Sequence, residues 1–239
     1  MDDAVEKVIT PFLAEADLAL GPAYSAVLYG SAARGDFVPG RSDINLMLVV
    51  DQLSPTTLAT LRRAYDRWRK SRYDPPLLIS RAEWARATDV FPLEITDMRA
   101  AYRVLRGLDP LAALEIDRSD LRRALEREFR GKLLRLRQGY VAASTDPQAL
   151  GTLAGQSAAT IMVLLRGLLH LLGRPVPTGP LELAGAAAAA AGLEPDQLLH
   201  VFRHRAERGW RCAPAEFERY MEAVAQAARY VDQLQLGDQ

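Results

Sequence analysis

A glycine–serine pair and two oxygen-bearing residues form the part of the sequence that could do chemistry. Gly30 and Ser31 follow a short apolar run, and Asp43 and Asn45 open the next apolar run. Glycine at the end of a strand lets the backbone approach a ligand closely, and a serine hydroxyl with the amides after it can bind a phosphate. Residues two apart on a strand face the same side, so Asp43 and Asn45 point together. The pattern predicts a phosphate-binding turn beside a divalent-metal site.

Three further polar residues lie in or beside this turn. Arg34 and Arg41 flank it and could meet phosphate oxygens, and Ser42 directly precedes Asp43. We take all three as candidate phosphate ligands. For Ser42 the alternative is a turn-forming role, because serine hydroxyls accept hydrogen bonds from nearby amides in turns.

Strands and helices must position these residues. Continuous apolar runs predict strands over residues 25–29, 44–50 and 77–79. Alternation of apolar and polar residues in PLEITDM predicts a fourth strand over residues 92–98. Ser54 and Pro55 supply an N-cap and a first-turn proline for a helix between the second and third strands. The sequence therefore predicts an α+β domain with a mixed sheet over residues 1–110.

Strand signals end before residue 118, and helical periodicity takes over. Amphipathic or alanine-rich helices are predicted over residues 119–144, 147–172, 181–191, 195–207 and 214–236. We therefore expect an all-α helical bundle over residues 118–239. Residues 118–137 carry eight basic and three acidic side chains, which predicts either a solvated face or a wall of the substrate cleft.

Composition excludes several classes of function. The 239 residues carry 30 basic and 30 acidic side chains, and this balance argues against nucleic acid as the main partner. The single cysteine, Cys212, excludes an internal disulfide and a zinc site built from several thiolates. The N-terminus lacks the basic start and apolar stretch of a signal peptide, and the longest apolar run is too short to span a bilayer. We expect a cytoplasmic protein with no membrane partner.

The stretch from Gly30 to Asn45 resembles the motif of the nucleotidyltransferase superfamily with the polymerase-beta-like fold. That motif is a Gly-Ser turn, a spacer of similar length and an Asp-x-Asp pair; this chain has eleven residues between Ser31 and Asp43, and ends the pair in Asn45. The aminoglycoside adenylyltransferases of the superfamily also carry an LE-V/I-T stretch, which residues 93–96 resemble. Many members append a helical domain.

The resemblance implies a set of roles. Gly30 and Ser31 would hold the terminal phosphates of an NTP, and Asp43, Asn45 and Glu94 would bind Mg²⁺. Glu94 resembles the general base that activates the acceptor hydroxyl. Asp97 is the fallback for this third carboxylate, although it lies on the opposite face of the predicted strand.

Asn45 leaves two functions open, because its amide oxygen can coordinate Mg²⁺ but brings no negative charge. The first is a Mg²⁺-dependent nucleotidyltransferase that moves NMP from an NTP to a hydroxyl of a small molecule or a protein. The second is a catalytically silent nucleotide-binding or regulatory protein that acts through a partner. The apolar residues of the later helices fit a core, a homodimer surface or the surface for a helical partner protein.

Overall fold

The chain folds into two compact units, Met1–Ile116 and Asp117–Gln239. The structure is a computed structural model and describes residues 2–40, 42–143 and 145–236. In the first unit the described strands are β1 (Tyr24–Tyr29), β2 (Asn45–Val50), β3 (Leu77–Ser80) and β4 (Tyr102–Arg106). The helices of this unit are α1 (Asp3–Leu20), α2 (Ser31–Arg34), α3 (Pro55–Thr60), α4 (Arg62–Trp68), α5 (Arg81–Trp84) and α6 (Pro92–Ala100), with a 3-10 turn over Arg69–Ser71.

The four strands form one mixed sheet in the order β3-β2-β1-β4. β1 pairs antiparallel with β2 and with β4, whereas β2 pairs parallel with β3. Tyr29, the last residue of β1, lies opposite Asn45, the first residue of β2. The sheet therefore brings the end of the first apolar run against the start of the second.

Helices cover both faces of the sheet. On one face Leu46 and Leu48 pack in a core with residues of α1 and α4, including Phe12 and Trp68. On the other face Met47 and Val49 pack with Ile95 and Met98 of α6 and with Trp84 of α5. Successive residues of β2 thus alternate between the two cores, as the period of a strand requires. Asn45 lies on the α6 side, because it has the same parity as Met47.

The predicted strand over residues 92–98 is wrong, since this segment is helix α6. Pro92 occupies the first turn, where its missing amide hydrogen does no harm, and the hydroxyl of Thr96 donates to the Pro92 carbonyl at 2.7 Å. Pro92, Leu93, Ile95, Thr96 and Met98 are all buried, which is the spacing of a helix face. The fourth strand is instead β4, whose sequence YRVLR exposes both arginines at the edge of the sheet.

The second unit consists of helices packed around their own core. They are α7 (Arg118–Ala143), α8 (Pro147–Leu171), α9 (Pro180–Ala191), α10 (Asp196–His204) and α11 (Pro214–Gln233). Tyr140 of α7 stacks on Phe217 of α11, and the buried hydroxyl of Tyr220 lies 2.8 Å from that of Ser157. The sequence thus correctly predicted a helical region after an α+β region with a mixed sheet.

Helix α8 lies at the centre of this unit. Among the described helices it alone is long and apolar enough to cross a membrane by length and composition, a test that core helices also pass. It contacts α7, α9, α10 and α11, and its buried residues include Ile161, Leu165 and Leu168. We interpret α8 as the core helix of the second unit.

Candidate active site

The turn after β1 has a backbone conformation that lets a ligand approach closely. Gly30 has a φ of 74° and a ψ of −148°, a conformation open almost only to glycine. Its carbonyl accepts hydrogen bonds from the amides of Ala33 and Arg34 at 3.1 and 3.0 Å, which starts helix α2. The amides of Ser31 and Ala32 begin that helix, where the helix supplies no carbonyl partner. The predicted Gly30–Ser31 turn is therefore present and leads directly into the first turn of α2, a place where backbone amides can bind anions.

Asn45 packs directly against Gly30. A β-carbon placed on Gly30 would lie 2.9 Å from Nδ2 of Asn45, too close for a real contact. Within the Asn45 side chain, Nδ2 is the atom nearest to that β-carbon position. The amide oxygen, Oδ1, lies farther from it. The absence of a side chain at residue 30 thus allows Asn45 to lie beside the turn.

Asp43 precedes β2 by two residues and is exposed to solvent. Ile44 between Asp43 and Asn45 is 1% exposed and packs in the core on the α1 side of the sheet. In an extended chain the side chains on either side of Ile44 would point away from that core. The common direction of Asp43 and Asn45 therefore stays a prediction.

The three other predicted phosphate ligands behave differently. Nε of Arg34 lies 3.4 Å from the carboxylate of Asp36, and its Nη1 is buried with no hydrogen-bond partner among the described residues. The hydroxyl of Ser42 accepts from the Val38 amide at 3.1 Å, and its own amide donates to the Val38 carbonyl at 2.9 Å. Arg41 lies outside the described residues. Ser42 thus forms a turn, while Arg34 keeps one buried donor without a partner among the described residues.

Helix α6 carries both candidates for the third carboxylate. Glu94 is exposed in the first turn of the helix, and Asp97 is half-buried in its second half. The carbonyl of Ala101, four residues after Asp97, accepts the Gly30 amide at 3.0 Å. This carbonyl belongs to the residue that follows α6, where the backbone is already extended with a φ of −160°, so the end of α6 joins the Gly30 turn through the main chain. The prediction that Asp97 lies on the face opposite Glu94 assumed a strand, and it does not hold for helix α6.

Tyr29 is a site residue that the sequence did not single out. It lies opposite Asn45, immediately before Gly30, and packs against the α6 core. Burial raises the pKa of its hydroxyl, and the negative charge of Asp97 raises it further. Tyr29 therefore stays protonated at neutral pH and lies near the Asp97 carboxylate. Its only sequence signal is its position at the end of the apolar run.

The side chains at this end of the sheet offer oxygen ligands of the kind that Mg²⁺ takes. They are the carboxylates of Asp43 and Asp97 and the amide oxygen of Asn45. Among residues 2–40, 42–143 and 145–236, no group of three or more His, Cys, Asp or Glu residues could hold a metal unaided. Mg²⁺ is commonly bound by one or two carboxylates together with substrate phosphates. By side-chain chemistry alone, these are residues of the kind that could hold one such ion.

Cys212, in the second unit, is no candidate nucleophile. The side chain is buried, and burial together with the charge of Glu216 raises the pKa of the thiol to about 11. The reactive thiolate is therefore scarce at neutral pH.

Comparison with known proteins finds a likeness in structure but none in sequence. No family model matches the sequence, and no curated protein matches it. The chain is similar in structure to spectinomycin adenyltransferase AAD(9) from Enterococcus faecialis, solved with ATP and spectinomycin. The TM-score is 0.58 at 13% identity, over 94% of this chain and 99% of that one. With the mixed sheet and the helices that follow it, this likeness shows that the chain has the fold of an aminoglycoside-type nucleotidyltransferase.

Proposed function

We propose that this protein is a Mg²⁺-dependent nucleotidyltransferase that moves NMP from an NTP to a hydroxyl of a small molecule. The observation that carries the proposal is the meeting of the Gly30–Ser31 turn, Asn45 and α6 at one end of β1. The turn offers anion-binding amides, and the neighbouring side chains offer metal-binding oxygens. A likeness in fold to an enzyme solved with ATP and spectinomycin supports the same reading.

Each residue has a role that follows from its chemistry. The hydroxyl of Ser31 and the first amides of α2 would bind the terminal phosphates, and Arg34 would add a cation beside them. Asp43 and Asn45 would hold Mg²⁺, with a carboxylate of α6 as a third ligand or as the base. When bound, this ion would neutralise triphosphate charge.

The reaction itself is a displacement at the α-phosphorus. The acceptor oxygen forms a bond to that phosphorus, the bond to the bridging oxygen of the β-phosphate breaks, and diphosphate leaves. The proton of the acceptor hydroxyl passes to a carboxylate of α6, for which Asp97 and Glu94 are the candidates. Spectinomycin is the first acceptor to test, because it is the one bound by the similar protein.

Calorimetric titration tests nucleotide binding. ATP, GTP, CTP and UTP are titrated into the natural protein and into Asp43→Ala, with and without Mg²⁺. We expect binding that requires Mg²⁺ and weakens roughly tenfold or more in Asp43→Ala, since the variant loses a charge-assisted ligand. Asp89→Ala, which removes an exposed carboxylate elsewhere in the same unit, serves as the control.

Turnover distinguishes the enzyme from a silent binding protein. Diphosphate release from labelled NTP is measured in the natural protein and in Asn45→Asp, which restores the second carboxylate of the family motif. Turnover in the natural protein supports the transferase. Binding without turnover, with activity only in Asn45→Asp, supports the silent nucleotide-binding protein. If no variant binds any nucleotide, both functions are excluded.

A further inference from the structure

The side-chain amide of Asn45 presents its nitrogen, and not its oxygen, to the Gly30–Ser31 turn. Nδ2 is the Asn45 atom nearest to the β-carbon position of Gly30, at 2.9 Å, and Cγ follows at 3.9 Å. An amide nitrogen donates two hydrogen bonds and offers no acceptor to a cation. The side chain is half-buried, so part of it stays open to a ligand. The part of Asn45 that borders the turn therefore suits a phosphate oxygen and opposes a metal ion.

The acidic side chains around Asn45 are too few to hold two divalent cations. Two such ions share a site about 4 Å apart, where their charges repel, and carboxylates offset this repulsion by adding negative charge. On either side of Ile44, Asp43 supplies a carboxylate but Asn45 supplies a neutral amide with one oxygen. In the part of the chain that the structure describes, no three Asp, Glu, His or Cys side chains form a group that could hold a metal. Ligands for one ion, shared with the phosphates of a nucleotide, are a smaller demand.

We propose that the site takes a nucleotide with a single divalent cation, and that Asn45 is the residue that sets this number. The inference rests on the nucleotidyltransferase function proposed above. Nδ2 of Asn45 donates to a phosphate oxygen held at the Gly30–Ser31 turn, while Oδ1 of Asn45 and the carboxylate of Asp43 serve the one ion. A hydrogen bond to a charged oxygen thus takes the place that a second cation would have at that phosphate.

A single substitution should reverse both properties of the site. Asn45→Asp keeps the shape of the side chain, removes the donor and adds a negative charge beside the turn. The new carboxylate repels the phosphate unless a second cation lies between them. We therefore expect Asn45→Asp to bind nucleotide at least about tenfold more weakly than the natural protein when the cation does not exceed the nucleotide.

The first test observes the Asn45 donor directly, because Asn45 is the only asparagine in the chain. The full chain is labelled with asparagine that carries ¹⁵N in its side chain, so that a ¹H–¹⁵N spectrum shows a single NH₂ pair. The probe is the α,β-methylene analogue of the NTP that binds most tightly, added with an equal amount of Mg²⁺. We expect one proton of the pair to move downfield, because a hydrogen bond to an oxygen deshields it. Mg²⁺ without the analogue should leave the pair nearly unchanged.

The second test counts the ions. Mn²⁺ replaces Mg²⁺, and the electron paramagnetic resonance signal of free Mn²⁺ gives the amount bound for each bound analogue. We expect about one Mn²⁺ in the natural protein and about two in Asn45→Asp. Gln52→Glu is the matched control, since it also exchanges a neutral amide for a carboxylate, at an exposed position beyond the far end of β2. It should keep the count of the natural protein, and circular dichroism checks that both variants fold.

Any of four results would overturn the inference. They are a second Mn²⁺ in the natural protein, an Asn45→Asp count equal to that of the natural protein, an equal gain in Gln52→Glu, and an Asn45 NH₂ pair that does not respond when the analogue binds. Each of these leaves the proposed nucleotidyltransferase function in place, because the nucleotide is still bound. If the analogue binds to no variant with either cation, the proposed function fails, and this inference fails with it.

Discussion

At the scale of single residues, the candidate site depends on one missing side chain. Gly30 has a positive φ and lies directly against the side-chain amide of Asn45. The turn therefore requires both the backbone freedom of glycine and its lack of a β-carbon. Asn45 in turn occupies the place where the family motif has a carboxylate. An amide that lies against the turn can position a phosphate or a metal ligand without adding charge.

Replacement of Gly30 by alanine tests this packing. We expect Gly30→Ala to lower the free energy of unfolding by about 2–3 kcal/mol and to abolish nucleotide binding, since both the backbone and Asn45 must shift. Gly35→Ala is the matched control: its φ is 92°, but a β-carbon there has no neighbour within 4 Å. Strain alone should reduce its stability by about 1 kcal/mol. Urea unfolding of both variants measures the difference, and equal losses would argue against the Asn45 contact.

The two carboxylates of α6 can be separated by isosteric substitutions. We expect Asp97→Asn to reduce nucleotidyl transfer by about 100-fold, because a general base contributes on that order, and Glu94→Gln to reduce it by less than about threefold. The expectation rests on the half-buried position of Asp97, whose charge acts on the Tyr29 hydroxyl beside Gly30, and on the exposure of Glu94. Initial rates at saturating NTP measure the effect. A large loss in Glu94→Gln with little loss in Asp97→Asn would assign the base to Glu94.

At the scale of secondary-structure elements, a polar network ties α1, β1 and β4 together. The Tyr24 hydroxyl donates to Asp17 at 2.6 Å, and Nε of Arg106 lies 3.2 Å from each oxygen of the same carboxylate. Burial would raise the pKa of Asp17, but the hydrogen bonds from Arg106 and Tyr24 keep it below the ordinary value of 3.8. The network thus joins an edge strand, which pairs on one side only, to the first helix.

The lowered pKa of Asp17 predicts how stability changes with pH. A carboxylate with a depressed pKa stabilises the fold above its unfolded value and loses that contribution as the pH falls through the folded value. We expect Asp17→Asn to lower the free energy of unfolding by about 1 kcal/mol at neutral pH, as Asp17 is partly exposed. The difference from the natural protein should shrink as the pH falls below the ordinary value of 3.8 and through the lowered pKa of Asp17. Urea unfolding across this range checks it, with Asp89→Asn as a control; a difference that persists in acid would exclude the ion pair as its cause.

The elements that the sequence predicted well are the central ones. β1 and β2 are buried on both faces, so their apolar residues form continuous runs that need no knowledge of their neighbours. The segment PLEITDM misled the prediction because Leu93 and Ile95 are buried in either a strand or a helix. The alternation is broken by residues of the other parity, since Pro92, Thr96 and Met98 are buried too. YRVLR was missed because an edge strand can expose its charges. The wrong element also removed the reason for placing Asp97 on the opposite face, so the choice between Glu94 and Asp97 as third carboxylate stays a prediction.

At the scale of the whole molecule, each of the two compact units has a core of its own. The first is built on the faces of the mixed sheet, and the second around α8. The sequence pattern changes in the same region. Strand and helix signals both occur before it, and only helix signals occur after it. We propose that the units are separate folding domains.

Expression of the two parts tests this division. We expect residues 1–116 and 117–239, made as separate chains, each to unfold cooperatively in urea, because each buries its own apolar side chains. Far-UV circular dichroism should show the second part to be almost wholly helical. A fragment that unfolds without a sigmoidal transition would show that its core depends on the rest of the chain.

The burial of Cys212 affects how the protein can be labelled for measurements in solution. A maleimide dye reacts with thiolate, and a thiol with a pKa of about 11 inside the second unit offers very little of it. A cysteine introduced at an exposed position such as Leu134 would therefore be modified selectively, with the natural thiol left in place. A fluorophore attached in this way could report on the surroundings of that position without a cysteine-free background having to be made first.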